Sequence, residues 1–115
     1  MKRKFLFVGL IAILYLTSCA PKTLYSWSNY DDASYKYLKN SDEKSMEQLI
    51  KTYRQLINEQ TGTRKAVPPG VYADYGFILL QAERIEEGKA MLEKEILLYP
   101  ESKIFIDRIL QMFEK

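Results

Sequence analysis

Residues 69–102 read PGVYADYGFILLQAERIEEGKAMLEKEILLYPES. From Val71 to about Ala82 the chain is apolar without the two-residue alternation of a strand, so it predicts a helix. Pro68 and Pro69 forbid helix just before it and can start one just after. Glu83-Arg84 makes a tight corner. Glu86 to Tyr99 then forms a second helix through Gly88, Leu92 and Ile96, and Pro100 interrupts it. Two helices joined by so short a corner must run antiparallel, and this hairpin sets the fold class.

The flanking sequence continues the pattern. Met46, Leu49, Ile50, Tyr53, Leu56 and Ile57 form one apolar stripe at helical spacing, surrounded by Lys, Arg, Glu and Gln. This helix has Ser41 or Asp42 as its cap, and it is expected to end at Thr61-Gly62, with Gly62 in a left-handed C-terminal position. Before it, Asp31 and Asp32 open a shorter helix whose apolar side holds Tyr30, Ala33, Tyr37 and Leu38, stopping near Lys39-Asn40. After Pro100, Ser102 is a candidate cap for a last helix to Glu114 that buries Phe105, Ile106, Ile109, Leu110 and Phe113. The expectation is an all-α fold of about five helices in antiparallel hairpins, over residues 31–115.

The spacing within 69–102 resembles the tetratricopeptide repeat, a helix pair of about 34 residues. With Pro100 at the closing proline, Gly76 falls on the small position of the first helix and Tyr75 on the large apolar position before it. Tyr72 and Leu79 take the aromatic positions on either side, Gly88 stands for the usual Ala and Leu92 for the usual Phe. Glu95 departs from the pattern, which expects a small apolar residue there. The resemblance implies a degenerate hairpin before this pair and a final capping helix after it.

The N-terminus carries a different signal. Met1-Lys2-Arg3-Lys4 is followed by an apolar run from Phe5 to Leu16 and then by Leu16-Thr17-Ser18-Cys19. That run is shorter than the roughly 20 residues a permanent membrane helix needs. It resembles a bacterial lipoprotein signal over residues 1–18, with cleavage between Ser18 and Cys19 and the Cys19 thiol as acceptor of the lipid. Cys19 is the only cysteine, so no intramolecular disulfide can form. Ala20 follows it where an Asp would retain an enteric lipoprotein in the inner membrane. The expected location is therefore the outer membrane, facing the periplasm.

Removing the signal changes the charge. Of 17 Lys and Arg, Lys2, Arg3 and Lys4 leave with it, so 14 remain against 15 Asp and Glu. The full chain's +2 becomes −1, and with no basic cluster a nucleic-acid partner is not expected. Residues 19–30 form the lipidated Cys19 and a tether rich in aromatic residues. Tyr25, Trp27 and Tyr30 stand too close together for a solvated linker, which leaves three readings open. They pack over the edge of the domain, they lie among lipid headgroups, or they form a contact surface for a partner.

Leu24-Tyr25-x-Trp27-x-x-Tyr30, Tyr35-x-Tyr37 and the Pro68-to-Gly76 run resemble a family of small, uncharacterised lipoproteins of Gram-negative bacteria. This resemblance implies a periplasm-facing lipoprotein, often encoded beside a lipoprotein similar to the curli secretion channel, and implies no activity.

No catalytic, metal or cofactor residues are expected. The chain has no His and no Gly-rich phosphate loop, and its acid pairs (Asp31-Asp32, Asp42-Glu43, Glu86-Glu87) sit at helix starts. Asp74 is the one acid inside the apolar stretch; its expected position is solvent-facing, with the groove-lining face of the helix pair as the alternative. The functional expectation is a non-catalytic, lipid-anchored adaptor that binds another envelope protein or lipoprotein, with no small-molecule substrate. The alternative is a structural subunit of an outer-membrane or surface-polymer export complex.

Overall fold

The computed structural model describes residues 2–16 and 22–114. Its elements are α1 (Lys2–Leu16), α2 (Tyr30–Asn40), α3 (Glu43–Asn58), α4 (Val71–Gln81), α5 (Ile85–Leu98), a 3-10 turn (Pro100–Ser102) and α6 (Lys103–Phe113). Among the described residues there is no strand, and the chain is all-α as its periodicity predicts. The apolar α1 exposes Phe5, Leu6, Phe7 and Val8, and among the described residues it has no contact with the other helices. No helix among the described residues is long and apolar enough to cross a membrane.

The remaining helices form two hairpins, α2/α3 and α4/α5, with α6 laid against the second. Helix α4 lies in the middle and is apolar on nearly every side, as a helix enclosed by neighbours must be. Val71, Tyr75, Ile78 and Leu79 join Ala33, Leu49, Tyr53 and Leu56 in one core. Ala73 and Leu80 join Leu92, Ile106 and Ile109 in a second.

The α4/α5 pair approaches more closely than any side chain would allow. A Cβ built on Gly76 would lie 2.8 Å from the Gly88 carbonyl oxygen and 2.8 Å from Leu92 Cγ. One on Gly88 would lie 2.9 Å from the Gly76 oxygen. Both positions therefore require glycine for space. Leu92, fully buried, fills the gap they leave. Glu95, one turn further along α5, is also 0 % exposed. Its Oε1 accepts the Gly70 N–H at 2.7 Å, at the N-terminus of α4. Gly70 has φ +90° and no side chain to cap the helix, so Glu95 supplies an acceptor from across the pair. This cap accounts for a carboxylate at a position expected to be small and apolar.

Several details differ from the sequence expectation. Helix α3 ends at Asn58, not at Thr61-Gly62, and begins on a reciprocal Asp42–Ser45 capping box. Gly62 is not a left-handed cap. It is glycine because the backbone of Leu24 and Tyr25 crosses directly over it. Ser102 makes no capping bond, since Pro100 starts a 3-10 turn that leads straight into α6. In α6, Ile106 and Ile109 are buried but Phe105 and Phe113 are exposed, because α6 does not close fully on α4 and leaves an open lobe that Phe105 lines.

Gly76→Ala tests the close approach. Alanine favours an isolated helix by about 1 kcal/mol over glycine, whereas forcing a methyl into a filled contact costs about 1–3 kcal/mol. Urea denaturation is expected to show a net loss of stability, and a gain would contradict the packing described.

Candidate functional site

Three stripes run along α4. Two enter the cores, and the third, Asp74, Phe77 and Gln81, is left facing a groove walled by α2, α3 and α6. One lobe of this groove has about 410 Å³ of free volume, between Tyr30, Ser34, Tyr37, Leu38 and Ser41 of the α2 side and Leu49, Tyr53 and Ile78. A second lobe of about 350 Å³ opens between α4 and α6, lined by Ala73, Phe105, Ile109 and Met112. Asp74 and Phe77 line both lobes and so join them. These volumes lie in the range of small ligand pockets. The walls are mainly apolar, and no Lys or Arg lines either lobe among the described residues.

The site is braced by a row of aromatic rings in contact. Trp27 and Tyr30 lie 5.7 Å apart between centroids, Tyr30 and Tyr53 5.7 Å, and Tyr53 and Tyr75 5.4 Å in a stacked pair. Such contacts add to the area the rings bury and hold each ring at a fixed angle. The Tyr75 hydroxyl accepts from Arg54 Nε at 3.1 Å. On the other side Phe77 meets Phe113 edge to face at 5.9 Å. Tyr37 donates to Gln81 Oε1 at 3.4 Å, closing one end of the first lobe.

Asp74 is the polar centre of the groove. Its Oδ2 accepts from the Tyr30 hydroxyl at 3.3 Å, long for a bond between oxygens. Desolvation among the rings raises the Asp74 carboxyl above the ordinary carboxylate range, with the Tyr30 bond opposing. Burial first, and then the Asp74 charge, raise the phenols of Tyr30 and Tyr53. Both rings therefore keep their protons and face Asp74 as neutral hydroxyls.

The residues singled out in the tether behave in different ways. Tyr25 accepts from Arg64 Nη1 at 3.1 Å, with the guanidinium 5.8 Å from its ring centre. It also lies against Tyr99, whose phenol is raised by burial and then by this neighbour. Tyr30 opens α2 and packs on the core. Trp27 is 43 % exposed, with one face on Tyr30.

Backbone bonds from Thr63 N–H to Thr23 and from Arg64 N–H to Leu24 attach the tether to the loop after α3. The Gln60 side chain exchanges bonds with the Ser26 N–H and carbonyl at 3.2 and 2.9 Å. The tether thus packs over the edge of the domain. Ser18 and Cys19, the expected cleavage and lipidation site, lie outside the described residues. No group of acids or cysteines among the described residues could hold a metal ion.

The sequence leaves Asp74 between a solvent-facing position and the groove-lining face of the helix pair; it is exposed, and it stands where the two lobes meet. The available signal was the i, i+3, i+7 stripe of Asp74, Phe77 and Gln81 on a helix otherwise filled with core residues.

The raised carboxyl has a consequence for stability. A group that holds its proton more tightly when folded contributes fully below its unfolded value, near 3.9, and loses that contribution as pH rises through the folded value. Ionised Asp74 therefore works against folding at neutral pH. Asp74→Asn is expected to melt at a higher temperature than wild type at pH 7, with the difference closing below about pH 4. A lower melting temperature at pH 7 would contradict this.

No curated protein and no solved structure matches the chain. One sequence family does, over residues 24–109, a span that takes in the aromatic part of the tether from Leu24, both hairpins and most of α6. The chain belongs to the family described as Domain of unknown function (DUF4810).

Proposed function

We propose that this chain is an exported lipoprotein, lipidated on Cys19 after cleavage of residues 1–18, held at the outer membrane with its helical domain facing the periplasm. There it acts as a non-catalytic adaptor that binds another envelope protein. The helices serve as a short, repeat-like hairpin array whose open side is the groove beside α4.

The observation that carries the reading is this two-lobed groove, preformed and mainly apolar, with Asp74 and Phe77 at its junction. Its walls hold hydroxyls, an amide, a carboxylate and rings, chemistry suited to contact. The lipoprotein part rests on the N-terminal basic residues, the short apolar run and the single cysteine where cleavage would fall. The docked tether supports the combination: Thr23 is already bound to the domain, so only the few residues from Cys19 to Lys22 would separate a lipid from the folded surface. At most about 3.5 Å per residue, that is a short leash.

Two measurements test this reading. Labelling with an alkyne fatty acid is expected to mark the wild-type protein and not Cys19→Ser. Co-purification from solubilised envelopes is expected to recover a protein at near-equal amounts with wild type and not with Leu38→Glu. Leu38 is 77 % exposed on the rim of the groove, so its replacement spares the core. The same proteins recovered from both would overturn the adaptor reading.

A further inference from the structure

The groove has a charge of one sign at its centre. Asp74 stands where the two apolar lobes meet, and no basic side chain among the described residues lines either lobe. Its hydrogen bond from the Tyr30 hydroxyl is long, at 3.3 Å, and no salt bridge among the described residues includes it. Nor is the carboxylate needed as the cap of α4, because Glu95 already accepts the Gly70 N–H there. Rings of Tyr30, Tyr53 and Phe77 surround it, and aromatic faces attract cations as a carboxylate does. A side chain of positive charge would gain both contacts at once, and large apolar neighbours would fill the two lobes.

We infer that the groove takes a protein segment in which an arginine or lysine stands between bulky apolar residues, the cation on Asp74 and the apolar side chains in the lobes on either side. The inference rests on the adaptor reading above and gives its partner a chemistry. Arginine fits better than lysine, since its planar guanidinium can meet a carboxylate and stack on a ring together. Because no other charged side chain among the described residues lines the lobes, the cation supplies selectivity and the lobes supply most of the buried area.

The test uses the full chain in nanodiscs of zwitterionic lipid, with empty discs as the blank. The probes are two fluorescent, end-capped pentapeptides, Phe-Leu-Arg-Phe-Leu and the same sequence with neutral citrulline for arginine. Fluorescence anisotropy is expected to show the arginine peptide binding about tenfold more tightly. Asp74→Asn should remove that advantage, bringing the two peptides to similar affinities. Leu38→Glu should weaken the citrulline peptide, which depends on the apolar lobe. Equal affinities for the two peptides on wild type, or an arginine advantage that survives Asp74→Asn, would overturn the inference. If the equal affinities both fell with Leu38→Glu, the groove would remain a binding face and only its charge preference would be lost. Binding of neither peptide would also overturn it.

Discussion

The contact between Gly76 and Gly88 governs the rest of the structure. With no Cβ on either residue, α4 and α5 close until each backbone carbonyl meets the other helix, and Leu92 seals the space beside them. One side of α4 is thereby used up. The α2/α3 hairpin and α6 must pack on its remaining sides, and they do so as two separate cores. Between those cores the Asp74, Phe77 and Gln81 stripe is left uncovered. The groove is what remains of α4 once its other faces have been buried.

The tether is part of the same arrangement. Tyr25 between Arg64 and Tyr99, Ser26 on Gln60, and Trp27 on Tyr30 fix the segment before α2 across the loop after α3. From Trp27 the rings run through Tyr30 and Tyr53 to Tyr75 in α4. Tyr30 also gives Asp74 its hydrogen bond, so the position of the tether and the shape of the groove are joined through one side chain.

Much of the fold is written locally. The stripe from Met46 to Ile57, the prolines at 68, 69 and 100, and the apolar run from Val71 place the helices to within a few residues, because each depends on its own sequence. The small residues Gly76 and Gly88 were legible from their spacing. What local pattern cannot carry is contact between distant segments. Gly62 looked like a helix end and is instead a crossing point for the tether. Glu95 looked out of place and is a cap for another helix. Phe105 fits the buried stripe of α6, yet it lines the open lobe between α4 and α6 and stays exposed. The groove belongs to this second class, since its walls come from α2, α3, α4 and α6; Asp74 stands out in the sequence as the one acid of its stretch, but the rings of Tyr30 and Tyr53 beside it do not.

The most direct measurement is photo-crosslinking in living cells, with benzoylphenylalanine placed at Leu38 on the groove rim or at Glu93 on the exposed side of α5. If the groove is where this protein meets its partner, the probe at Leu38 yields one discrete adduct and the probe at Glu93 does not. Adducts of the same kind and amount from both positions, or none from Leu38, would contradict the account.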